Sequence, residues 1–193
     1  MGRPPEHSVD EFVDAAVRCF AAGGARAVTV TAVAEAVGAR TGSVYHRFAG
    51  RPGLLAEVWL GTERRFHREL VAVLDAHPGA DGVVHASGWT VDWCRDNAER
   101  AAVLHAGVRA FSPHTWPEAA RASLADNAAA RERELARVVR ALRAETGRGA
   151  EEILLALIDL PISVVGRYLG RGEPPAPSAT GLTRRIAALI MAG

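Results

Sequence analysis

Residues Thr29 to Arg51 constrain this chain more than any other stretch, because they spell two short helices hinged on a glycine with a polar outer face. Val30, Val33, Ala34 and Val37 recur at i, i+3, i+4 and i+7, the apolar stripe of a helix laid on a core. Gly38 breaks the pattern. In the second helix Val44 and Phe48, four apart, point inward together, which leaves Thr41, Ser43, His46 and Arg47 for another surface. No acidic residue stands between Glu35 and Glu57, whereas Arg40, Arg47 and Arg51 supply positive charge. Such a surface suits a polyanion.

The flanking sequence builds a head and a body around this stretch. After an arm containing Arg3, Ser8 and Glu11 have the spacing of a capping box, and Phe12, Ala16, Cys19 and Phe20 form one helical face that Gly23 and Gly24 end. Residues 1–52 are therefore expected to form a three-helix head, and 53–193 a body. A fourth helix starts near Pro52 and runs through Leu55, Trp59, Phe66, Leu70 and Val73 to the His77-Pro78-Gly79 stop. Beyond it the periodicity predicts helices over Asp81 to Asn97, Glu99 to Phe111, Pro117 to Thr146, Ala150 to Leu169 and Ser178 to Met191. No alternating strand pattern occurs, so the expected class is all-α.

Composition narrows the function classes. At 193 residues and 49% apolar content the chain can bury a substantial core. Its net charge of +1 gives no global pull on nucleic acid, so any such affinity must come from where the arginines sit. The apolar run Ile153 to Val165 is too short for a bilayer and is interrupted by Asp159 and Pro161. Two cysteines and no export-type segment at the start point to the cytoplasm.

Catalysis finds little to stand on: there is no Gly-x-Ser-x-Gly elbow, phosphate-binding loop or His-Glu-x-x-His, and no cofactor is called for. The spacing of His85, Asp92 and Cys94 does not bring them to one helical face as metal ligands. Cys94, beside Arg95, is either a thiol of lowered pKa or a buried inert one. Two other function classes stay open: a helical ligand-binding or protein-interaction module with a vestigial head, and an enzyme built in a bundle core.

The segments Thr29-Val-Thr-Ala-Val-Ala-Glu-Ala-Val-Gly38, Thr41-Gly-Ser-Val-Tyr-His-Arg-Phe48 and Arg51-Pro-Gly-Leu-Leu55 closely resemble the helix-turn-helix of TetR-type bacterial repressors. The family often has Lys where this chain has Arg51. The resemblance implies an operator-binding repressor, with the second helix of the motif in the major groove and a helical body that dimerises through its last two long helices. It also implies a small-molecule effector in the body, whose binding tilts the fourth helix and releases the DNA.

On that footing the residue types divide the work. Thr29 caps its helix, can hydrogen-bond a phosphate, or does both. Gly42 permits close approach, and Thr41, Ser43 and His46 are candidates for base edges. Tyr45 and Arg51 are assigned to phosphates, while Arg40 and Arg47 suit either partner. In the body, Trp89 with Trp93, His105 with Arg109, and Phe111 and Trp116 are candidate effector-pocket residues. The alternative for the tryptophans is plain core, and for His105 and Arg109 a surface pair.

Overall fold

A computed structural model describes residues 7–192, and the arm with Arg3 lies outside them. All regular structure among these residues is helical. In order they are α1 (Val9–Ala27), α2 (Val30–Val37), α3 (Thr41–Arg47), α4 (Gly50–Ala76), α5 (Gly79–Asp96), α6 (Ala98–Ala106), α7 (Glu118–Thr146), α8 (Ala150–Leu154), α9 (Leu160–Leu169) and α10 (Pro177–Ala192). Short 3-10 turns at Val108–Phe111 and Pro113–Thr115 follow α6, and a π-helical turn, Leu155–Asp159, joins α8 to α9. No helix among the described residues is long and apolar enough to cross a membrane.

Two compact units are distinguishable, one comprising the described residues up to Arg64 with Ala102–Asp126, the other Arg65–Ala101 with the described residues from Asn127 onward.

In the first unit, α1 opens on a complete capping box, with Ser8 Oγ accepting the Glu11 amide at 3.2 Å and Glu11 Oε2 accepting the Ser8 amide at 2.6 Å. The helical path leaves α geometry at Gly23 and at Gly24, whose φ of +66° favours glycine, and then adds a final turn. Thr29 caps α2 by accepting the Ala32 amide at 3.1 Å, and left-handed Gly38 ends it by donating to the Ala34 and Glu35 carbonyls. Phe12, Phe20, Val33, Val44, Phe48, Leu54, Phe111 and Trp116 belong to one buried core. Phe48 meets Phe12 edge to face at 6.2 Å, which fixes the end of α3 against α1.

The second unit is centred on Leu70, Val83, Val138, Leu142, Ile153, Leu157 and Ala187. Here α5 packs most extensively on α10, and the Thr180 hydroxyl ties the pair by donating to Asp92 and accepting from Arg95.

Two expected helices are interrupted, each for a local reason. The Glu99 to Phe111 segment leaves α geometry at Gly107, φ +70°, and finishes as a 3-10 turn. The Ala150 to Leu169 segment widens before Pro161: proline has no N–H and its ring crowds the carbonyl four residues back, and Leu160 donates to Leu155 five residues back.

Candidate nucleic-acid interface

Helix α3 is sharply two-sided. Val44 is fully buried and Phe48 is 5% exposed, whereas Tyr45 is 63% exposed. Arg40, Thr41, Gly42 and His46 are exposed beside Tyr45, while Ser43 is half-buried. A side chain built on Gly42 would meet no atom within 4 Å, so the space over it is open. Arg40 stands just before α3 and makes no side-chain capping bond, leaving its guanidinium available among the described residues. Thr29 is exposed at the start of α2; its Oγ accepts from Ala32, and its hydroxyl hydrogen remains to be given outward.

Two arginines sit differently from expectation. The outward, free placement of Arg47 is corrected: it is half-buried, donates to the carbonyls of Ser43 at 3.0 Å and His7 at 2.9 Å, and lies 5.1 Å over the Phe12 ring. Position 47 follows Val44 by three, so it falls on the inward-facing stripe, where the Phe12 ring and the carbonyls of Ser43 and His7 satisfy the guanidinium. Arg51 is exposed, but the fork expected to be free for phosphate is engaged. Its Nε donates to the Val28 carbonyl at 2.8 Å and its Nη2 to that of Ala25.

The six body candidates divide between the two units. Trp89 and Trp93 belong to the second unit, and His105, Arg109, Phe111 and Trp116 to the first. Phe111 and Trp116 are core residues of the first unit: they are 0% and 1% exposed, Phe20 stacks on Phe111 at 4.6 Å, and the Trp116 indole donates to the Phe111 carbonyl at 2.8 Å. His105 and Arg109 are exposed.

In the second unit Phe66 contacts both Trp89, at 5.5 Å, and Trp93, at 4.9 Å. Trp93 is buried and its indole N–H, expected to serve a ligand, is given to Glu69 Oε2 at 2.9 Å. Trp89 is half-buried. Burial pushes the Glu69 carboxyl upward, but hydrogen bonds from Arg65 and Trp93 with the charges of Arg65 and Arg68 outweigh it and hold Glu69 below its usual range. Arg65 and Glu69 are spaced i, i+4, so that pairing was visible in the sequence, whereas the partnership with Trp93, twenty-four residues on, was not. Clefts of about 510 Å³ beside Arg140, Arg143 and Arg148 and about 230 Å³ beside His77, Arg137 and Glu145 are lined by none of the six.

Cys94 is buried, and desolvation pushes its thiol up to about 12, which removes the lowered-pKa alternative. Cys19 is half-buried.

Residues 12–58 match the model for bacterial regulatory proteins of the tetR family. No curated protein matches the chain. Among solved structures, the transcriptional regulator FadR from Bacillus subtilis, in complex with stearoyl-CoA, superposes with a TM-score of 0.73 at 13% identity over 96% of this chain and 99% of that one. A tetR-family regulatory protein from Rhodococcus RHA1 gives 0.69 at 22% identity over 96% of each chain. The TetR-family regulator PfmR from Thermus thermophilus also gives 0.69, at 20% identity, over 94% of this chain and 97% of that one. Residues 12–58 thus carry a helix-turn-helix segment of the tetR family type, and the chain shares its all-helical fold with these proteins.

Proposed function

We propose that the chain is a homodimeric repressor, released from its operator by a small molecule, with reading assigned to residues 1–52 and effector binding and dimerisation to 53–193. The observation that carries the reading half is the two-sidedness of α3. Val44 and Phe48 anchor it from behind while Thr41, Tyr45 and His46 face outward on an acid-free segment. In a major groove Thr41, Ser43 and His46 address base edges, with Gly42 permitting close approach. Thr29, Tyr45 and Arg40 address phosphates.

Dimerisation is supported by large apolar side chains left exposed on the last helices: Leu155 at 47%, Ile162 at 60%, Leu182 at 44% and Leu189 at 73%. Pairing of two copies is one way such exposed apolar side chains become covered. The effector is read as a mostly apolar small molecule with one or two polar groups, and half-buried Trp89 in the Phe66 cluster is the aromatic surface that supports this. Linkage sets the scale: an effector that weakens DNA binding a hundredfold favours the non-binding shape by about 2.8 kcal/mol, and DNA weakens effector binding equally. Catalysis is not part of the reading, and the operator places the protein in the cytoplasm.

The test is selection of bound duplexes from a random pool, followed by challenge of the complex with candidate metabolites. An enriched inverted repeat that a metabolite releases is the expected result. A pool that stays random overturns the reading half, and a complex no metabolite disturbs overturns the effector half.

A further inference from the structure

We propose that Arg51 is a positioning residue that acts on DNA binding through Thr29, as a clamp on the corner between α1 and α2, and makes no phosphate contact; this rests on the regulator reading above. The corner needs a clamp. Gly23 and Gly24 interrupt α1, so its last turn is short, and the closing bond from the Val28 amide to the Ala25 carbonyl is long at 3.3 Å. Carbonyls at a helix end lack intrahelical partners, and Val28 is itself fully buried.

Arg51 supplies what is missing. Its planar fork meets the Val28 carbonyl through Nε at 2.8 Å and the Ala25 carbonyl through Nη2, a bidentate fit at the negative end of α1. The next residue is Thr29, whose Oγ accepts the Ala32 amide at 3.1 Å and whose carbonyl accepts the Val33 amide at 3.0 Å. The peptide that Arg51 holds is thus the one from which α2 starts. Arg51 belongs to the first turn of α4, so movement at the start of α4 is passed to the position of Thr29.

A phosphate contact and a positioning clamp leave different signatures. Losing a cation that neutralises a phosphate lowers the slope of log affinity against log salt by about 1 per head; losing a clamp lowers affinity at unchanged slope. A clamp acting through Thr29 also has nothing left to lose once the Thr29 hydroxyl is gone.

The experiment measures binding, from 50 to 200 mM salt in the manner usual for such slopes, to a duplex that the wild-type protein selects from a random pool. Arg51→Ala is expected to bind about tenfold more weakly with the wild-type slope, Thr29→Ala about tenfold more weakly, and the double variant about tenfold rather than a hundredfold, as coupled neighbours do. Arg40→Ala, the comparison, is expected to lose about 1 per head in slope. A slope loss in Arg51→Ala, or additive losses in the double variant, overturns the clamp and leaves the regulator reading intact. Failure of the wild-type protein to enrich any duplex overturns the regulator reading and the clamp with it. Should Arg51→Ala not fold, Arg51→Lys keeps the charge without the planar fork: weaker binding at unchanged slope is expected, and full retention of affinity overturns the clamp.

Discussion

Val44 and Tyr45 are consecutive in α3 yet occupy its two extremes, the first fully buried against the head's core and the second 63% exposed. A helix turns about 100° per residue, so one step separates the side that holds α3 in place from the side that it presents. On the proposed reading the head divides stability and recognition between these neighbours.

Replacing the two separates the properties. Val44→Ala is expected to destabilise the protein by about 2 kcal/mol, from lost transfer energy and the cavity left behind. Tyr45→Ala is expected to stay within about 0.5 kcal/mol of wild type while weakening DNA binding. Urea unfolding and a binding titration on each variant check both.

His46 is exposed on the same side as Tyr45 and is assigned to base edges. His46→Ala is expected to leave binding to scrambled duplex nearly unchanged while the preference for the selected duplex falls about tenfold, within the usual cost of one base-pair mismatch. Paired titrations of the two duplexes measure the ratio.

Glu69 links Arg65 to Trp93, and its folded pKa lies below the unfolded value of 4.5. A depressed carboxylate stabilises the fold above the unfolded pKa, and that contribution is lost as pH falls through the lowered folded value. Glu69→Gln is expected to be less stable at neutral pH and to show a shallower decline below pH 4.5 than wild type. Trp93→Phe, which removes one hydrogen bond to the carboxylate, is expected to cost about 1 kcal/mol and to reduce the same decline. Unfolding free energies measured across the acid range decide both.

The thiol of Cys94 is buried and pushed up to about 12, so almost none of it is thiolate near neutrality. Iodoacetamide at mildly alkaline pH is expected to leave Cys94 unmodified in the native protein and to alkylate it in denaturant. Mass spectrometry of the Cys94 peptide reads the outcome.

Leu189 and Ile162 are the most exposed large aliphatic residues among those described, at 73% and 60%. Burying a charge in a dimer interface is costly unless it is paired. Leu189→Glu and Ile162→Glu are each expected to shift the protein from dimer to monomer in sedimentation, with helix content unchanged.

Much of the head was legible because its determinants are local. The Val30, Val33, Ala34 stripe, the Val44 and Phe48 anchor, the Ser8–Glu11 box and the Thr29 cap all lie within a turn or two of their partners. What sequence did not disclose is where long polar side chains end. Arg47 and Arg51 are satisfied by the backbone carbonyls of His7, Ser43, Ala25 and Val28, and a carbonyl carries no mark in a sequence. The spacing of Arg47 from Val44 was the available signal, and it places Arg47 inward. In the body the aromatic residues left pocket and plain core both open; Phe111 and Trp116 fill the first unit's core and Trp93 gives its N–H to Glu69. Apolar periodicity identifies buried aromatic faces without saying whether protein or ligand covers them. The expected helices over Glu99 to Phe111 and Ala150 to Leu169 ran through Gly107 and Pro161, and only the folded chain shows the 3-10 and π turns at these positions.

The central claim, that the exposed side of α3 reads base edges in the major groove, is tested most directly by dimethyl sulfate footprinting on the selected duplex, since guanine N7 lies in the major groove and adenine N3 in the minor. The account predicts guanine protection in two patches about one helical turn apart, lost when Thr41, Ser43 and His46 are all replaced by alanine. Protection confined to adenine N3, or guanine protection that survives the triple replacement, would contradict it.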